Sequence, residues 1–244
     1  MILRYLPLLL SAPDAFAILL SAFVFSILVG LIFHEYCHAV VANWLGDPTA
    51  KMLGRLTLNP LAHYDPIGTT LILLAGFGWA KPVPVNPNNT ANPKRSMLLI
   101  AFAGPASNLL VAALAGIPIR LQLVPFWHPF VGTSTAERWA EVWTRTPADL
   151  LGLFLGTVVL LNVLLAVFNM LPIPPLDGSK VLMGLLPDNL ARQYQRLEPW
   201  GTGILMLLIL APFLTDGAVS MLVVTGPIVE FLLDLFVGDP VGFR

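Results

Sequence analysis

His34-Glu35-Tyr36-Cys37-His38 places two imidazoles four residues apart with a carboxylate between them. On an α-helix that separation turns about 40° around the axis and rises about one turn, so both rings leave the same face and can grip one ion. Glu35 lies about 100° from His34 and about 60° from His38, within reach of a water held at that ion. Zinc suits two imidazoles plus one oxygen ligand, with a fourth position left for water. An open position gives such a site its chemistry: the metal acidifies the water and Glu35 can take the proton. Cys37 projects about 60° from His34 on the side away from Glu35, where it could be a ligand or a small packing residue.

The motif is carried by an apolar run from Ala15 to Leu45, longer than the roughly 20 residues that cross a bilayer, and Gly46-Asp47-Pro48 stops it. At 1.5 Å per residue His38 lies about 12 Å before that stop, inside the membrane but nearer one face. Ionisable groups at such depth are costly and are retained for function. The whole chain agrees with this placement: 57% of its residues are hydrophobic and 11% charged, against about 25% charged in soluble domains. A net charge of −1 gives no electrostatic footprint for nucleic acid, and one cysteine cannot build an internal disulfide framework.

The expected fold is an all-α polytopic membrane protein, a single membrane-embedded domain over 1–244, with about four core transmembrane helices near 15–45, 96–117, 150–171 and 203–224. Arg4, Leu6 to Leu10 and Ala15-Phe16-Ala17 faintly resemble a signal peptide, but Pro7, Pro13 and Asp14 interrupt it, so an uncleaved first span is expected. Residues 67–80 are apolar but short and contain Gly68, Gly76 and Gly78, which fits a re-entrant segment better than a crossing. Arg55-Leu56-Thr57-Leu58 alternates as a strand would, and Val83 to Val85 lies in a proline-rich loop, so a small β-hairpin or sheet element is expected after the first span. Trp127, Trp139 and Trp143 suggest an interfacial belt. Residues 227–237 form an apolar tail too short to cross unaided.

Four spans put Lys51, Arg55, Lys81, Lys94, Arg95, Lys180, Arg192 and Arg196 on one side and Arg4, Arg120, Arg138 and Arg145 on the other. The positive-inside rule makes the first side cytoplasmic, and His38 and Asp177 both lie toward it.

Two imidazoles leave a metal site incomplete. Asp177 follows the third span with almost no polar flank, so its carboxylate is either the missing ligand or the cap of a short helix running to Leu186. His63, beside Tyr64-Asp65-Pro66, reads as a loop histidine that could also serve the active site. Gly104-Pro105-Ala106-Ser107-Asn108, central in the second span, offers small residues for helix contact and one amide to satisfy.

Taken together, H-E-x-x-H in a membrane helix, G-P-x-x-N in a later one, and Asn169-Met170-Leu171-Pro172-Ile173-Pro174-Pro175-Leu176-Asp177-Gly178 resemble the site-2 protease family of intramembrane zinc metalloproteases. The chain is similar to its compact branch, which lacks PDZ and CBS modules and is bacterial or archaeal, so a prokaryotic cell membrane is the expected location. Ser179 departs from the second glycine common after Asp-Gly in that family. The resemblance implies one Zn²⁺ held by His34, His38 and Asp177, Glu35 as general base, and Asn169 as a substrate-binding or oxyanion residue, with Asn108 and His63 as accessory candidates. It implies transmembrane protein substrates hydrolysed in the bilayer, with the active site nearer the cytoplasmic face. Residues 51–58 or 82–86 could lend backbone hydrogen bonds to an unwound substrate.

Two other classes remain in view. A catalytically silent membrane binder or chaperone would lack a ligand or the base, and none is missing. A metal or proton transporter would often show internal repeats, and none is found. Substrate identity and oligomeric state are not encoded in any recognisable feature.

Overall fold

The computed structural model describes residues 5–75, 78–129, 131–215 and 221–238. Its helices are α1 (Leu8–Ser11), α2 (Pro13–Trp44), α3 (Thr49–Met52), α4 (Pro60–His63), α5 (Pro66–Ala75), α6 (Pro93–Arg120), α7 (Thr133–Trp143), α8 (Pro147–Asn169), α9 (Asp177–Leu185), α10 (Asp188–Gln195), α11 (Glu198–Leu214) and α12 (Met221–Val237).

Three of these, α2, α6 and α8, are long and apolar enough to cross a membrane. At 32, 28 and 23 residues they measure about 48, 42 and 35 Å. Each starts with proline in its first turn, where the missing N–H costs nothing. Asn92 caps α6 by accepting from the Arg95 N–H at 3.1 Å, and Thr146 caps α8 by accepting from the Asp149 N–H at 3.2 Å. α2 ends before Gly46, whose φ of +103° only glycine adopts without strain.

α8 is the central helix: 67% of its most apolar window is buried, against 28% for α2 and 39% for α6. One apolar cluster joins Phe16, Leu19 and Phe23 of α2 to Ala136, Ala140 and Trp143 of α7 and Leu153 of α8. A second joins Ala112 and Ile119 of α6 to Val159 and Val163 of α8 and Val229 of α12. Gly30 lets α2 approach α8: a side chain there would lie 2.9 Å from Leu165 Cδ1 and 3.0 Å from Asn162 Oδ1.

Several expectations need correction. No strand occurs among the described residues, so the β-hairpin is absent. The extended segment 81–86 directs all its donors but the Val85 N–H elsewhere. Pro82 and Pro84 have none, the Lys81 N–H goes to His63 O at 2.9 Å, the Val83 N–H to Glu35, and the Asn86 N–H to Asp47. The link to the 51–58 stretch is instead a side chain, with Arg55 Nη2 donating to the carbonyls of Lys81 and Pro82. The expected span at 203–224 is displaced: α11 begins at Glu198 and stops at Leu214. The apolar tail at 227–237 belongs to the 17-residue α12, which packs on α6 and α8. Within the expected re-entrant stretch, α5 has 10 residues, about 15 Å, and Gly76 lies outside the described residues. Trp143 is 1% exposed and belongs to the core, not to an interfacial belt.

Candidate metal centre

α2 brings His34 and His38 to the inner side of the bundle, where both are buried. Their rings lie 4.6 Å apart and nearly perpendicular, at 88°. Asp177, the first residue of α9, is also buried and aims Oδ2 at both: 3.0 Å from His34 Nε2 and 3.2 Å from His38 Nε2. One donor atom from each residue lies within 4.8 Å of the others. The carboxylate is thus turned to the imidazoles, and among the described residues it makes no bond to a helix N–H.

The outer ring nitrogens decide what this cluster can hold. His38 Nδ1 faces the Ile100 carbonyl at 2.6 Å, which can only accept. His34 Nδ1 faces Asn108 Oδ1 at 2.8 Å. That amide is oriented by its other end, since Asn108 Nδ2 donates to Gly30 O at 2.9 Å and to Asn162 Oδ1 at 3.1 Å. Asn162 is oriented in turn by donating to Val158 O at 2.9 Å. Backbone carbonyls of α2 and α8 therefore fix both amides, and both Nδ1 atoms carry hydrogen. In neutral imidazoles the Nε2 lone pairs then converge on a carboxylate oxygen. Three lone-pair donors at that separation repel one another unless positive charge, a proton or a divalent cation, lies among them.

Gly104 on α6 keeps open the space beside the two Nε2 atoms. A Cβ there would lie 2.5 Å from both Nε2 atoms and 2.6 Å from His34 Cε1. Gly178 similarly lets α9 start against the chain leaving α8, where a Cβ would meet Met170 O at 2.2 Å. Lys180 lies one turn beyond Asp177, with Nζ 3.5 Å from Oδ1.

Glu35 is partly buried, and its Oε2 accepts the Val83 N–H at 2.9 Å. The segment bearing Val83 is tethered at its far end by Asp47, which is fully buried just after α2. Asp47 accepts from the Asn86 N–H at 2.6 Å, the Thr49 N–H at 3.1 Å and Asn89 Nδ2 at 2.8 Å, as well as from the Thr49 hydroxyl. Burial raises the pKa of this carboxyl, but the bonds from Thr49, Asn89 and Asn86 outweigh burial and hold it below the usual carboxylate range.

The remaining candidates fall outside the cluster. Asn169 ends α8 and donates to Leu165 O at 2.9 Å. His63 is buried, with Nε2 donating to Thr57 O at 2.8 Å and Nδ1 without a partner among the described residues. Cys37 is a free thiol and does not join the His–Asp group. Sequence reasoning missed Asn162, Asp47 and the steric role of Gly104. An asparagine between Leu161 and Val163, inside the apolar run from Val158 to Phe168, was a usable signal, because a buried amide requires partners.

Comparison with known proteins agrees with this geometry. A Bacillus subtilis (strain 168) protein named "Putative zinc metalloprotease YwhC" is 36% identical over 195 residues, covering 80% of this chain and 82% of its own. Two mycobacterial proteins share the name "Putative zinc metalloprotease Rip2". That of Mycolicibacterium smegmatis is 31% identical over 77% of this chain and 66% of its own. That of Mycobacterium tuberculosis (strain H37Rv) is 29% identical over 83% of this chain and 71% of its own. No solved structure gives a significant match. Peptidase family M50 matches residues 22–212, a stretch that contains His34, Glu35, His38 and Asp177. The chain belongs to peptidase family M50, the site-2 family of intramembrane metalloproteases.

Proposed function

We propose that His34, His38 and Asp177 hold one zinc ion and that Glu35 is the general base in hydrolysis of peptide bonds within or next to transmembrane segments of membrane proteins. The convergence of three buried donor atoms over the glycine floor at residue 104 carries this reading. The names of the bacterial relatives support zinc. When bound, the metal supplies Lewis acidity to water and to the scissile carbonyl.

The chain's own residues do the rest. Asn108 and Ile100 O orient the two imidazoles and keep their Nε2 atoms unprotonated. Glu35 is held through Oε2 by Val83, which leaves Oε1 to take a proton from water and deliver it to the leaving amine. A helical substrate must unwind to expose its carbonyls. The extended segment 81–86 meets it with the Val85 N–H and the carbonyls of Val83 and Val85, which have no partner among the described residues. Asn169, whose Nδ2 uses one hydrogen on Leu165 O, keeps a second for the substrate strand or the developing oxyanion. The shorter α11 serves as a fourth span, and the positive-inside rule puts the active site nearer the cytoplasmic face of a prokaryotic cell membrane.

The test pairs zinc analysis of purified protein with cleavage of a transmembrane reporter. Glu35→Gln retains zinc, because its amide oxygen still accepts from Val83, and loses turnover. His34→Ala and Asp177→Ala lose zinc. Peptidase activity in purified Glu35→Gln protein overturns the assignment of the base.

A further inference from the structure

A cleft of about 440 Å³ opens between the start of α6, α9 and α10. That volume lies in the about 300–1,000 Å³ range of small-molecule sites. Met97 and Met183 form an apolar floor, and Lys94, Lys180, Arg192 and Asp188 stand around it. Their charges do not balance. Lys94 is spent on Asp188 at 2.7 Å and on Leu186 O at 2.6 Å. Lys180 has only the long contact to Asp177. The exposed guanidinium of Arg192 makes no hydrogen bond or close ion pair among the described residues and shares only the field of Asp188. The lining of the cleft therefore carries three cations against the single carboxylate of Asp188.

Its setting identifies the occupant. Leu185 (70% exposed), Leu190 (44%), Leu197 (45%) and Trp200 (72%) are exposed on the segments that carry and follow its α9 and α10 walls. Exposed leucines and a tryptophan beside lysine and arginine mark a membrane–water interface. A cationic cleft opening there is bathed in phospholipid at far higher local concentration than any soluble anion.

We infer that this cleft binds the phosphate of an anionic phospholipid headgroup, with Arg192 as its principal contact and Met97 and Met183 against the glycerol end. The shared chemistry is a phosphate monoanion on an apolar stem. An acidic side chain of a passing substrate would satisfy only the charge. The inference does not depend on peptide hydrolysis.

The full chain, purified in detergent, is equilibrated with equal amounts of phosphatidylglycerol and phosphatidylcholine, and retained lipid is counted by native mass spectrometry. Wild type retains phosphatidylglycerol preferentially. Arg192→Gln weakens that retention roughly tenfold, as expected for one charge-assisted contact. Arg192→Lys restores part of it, and Arg145→Gln, remote from the cleft, leaves it unchanged. Equal retention of the two lipids by wild type, or unaltered retention in Arg192→Gln, overturns the inference. Two competition arms separate the other sources. Displacement of the lipid by millimolar inorganic phosphate makes the site a soluble-anion site, and displacement by a glutamate-rich peptide makes it a substrate site. Either result also overturns the inference.

Discussion

Replacing Gly104 by alanine adds one methyl group and should empty the metal centre. Glycine to alanine inside a helix ordinarily stabilises by about 0.5–1 kcal/mol, so the backbone favours the change. The new carbon, however, would lie 2.5 Å from both Nε2 atoms, where ordinary contact begins near 3.4 Å. Each ring must retreat by about 0.9 Å, whereas ligand distances tolerate about 0.2 Å. Retreat also pulls Nδ1 of His34 off Asn108 and Nδ1 of His38 off Ile100 O, at about 1 kcal/mol each. Loss of such outer partners alone costs about 10–100-fold in metal affinity. Displacement of the donors themselves adds to it, so affinity should fall by at least about 100-fold. The assay is zinc titration of apo protein against a competing chelator, with thermal unfolding run in parallel. Gly203→Ala is the control: nothing lies within 4 Å of the added carbon, so zinc affinity should not change. Zinc bound by Gly104→Ala with wild-type affinity would refute the glycine-floor argument, and with it the position assigned to the ion.

Three further outcomes follow from the surrounding bonds. Asn108→Leu removes the acceptor that fixes His34 and strands Asn162 Oδ1, so zinc affinity should drop about 10–100-fold in the same titration while the fold persists. Arg55→Met releases the carbonyls of Lys81 and Pro82 and frees the segment carrying Val83, so reporter cleavage should fall roughly tenfold or more with zinc content unchanged. Equal turnover would show that the segment needs no such tether. Asp47 has a depressed pKa in the folded protein, so its contribution to stability is present above the unfolded carboxyl value, near pH 4, and is lost as pH falls through the lower folded value. Thermal unfolding across pH 2–6 should show that acid loss in wild type and a shallower one in Asp47→Asn.

The pairing of the two imidazoles was legible because it is local: a helix converts a four-residue spacing into a shared face without help from the rest of the fold. Asp177 was legible as a carboxylate in need of a partner, with Leu176 before it and Val181 soon after, but its residues alone left ligand and cap both open. What was not legible depends on contacts across the chain. Asn108 meets Gly30, 78 residues away, and Asn162, 54 residues away, and no local pattern specifies either. The absent hairpin shows the opposite failure. Alternation at Arg55–Leu58 is a local cue, but the prolines at 82 and 84 withdraw donors and His63, Glu35 and Asp47 claim those of Lys81, Val83 and Asn86. Trp143 was misplaced for a similar reason: a tryptophan in a polar stretch suggests an interface until α7 folds it against Phe16 and Leu153.

Asp177, the proposed third ligand, lies 143 residues beyond His34 and 139 beyond His38. At about 5–20 residues per second, a ribosome needs about 7–29 seconds to add that stretch. Throughout that interval the nascent chain carries its imidazoles and its base without the third ligand. With the proposed ligand set, a protease assembled in this order is silent toward its neighbours, and itself, while it is still being inserted.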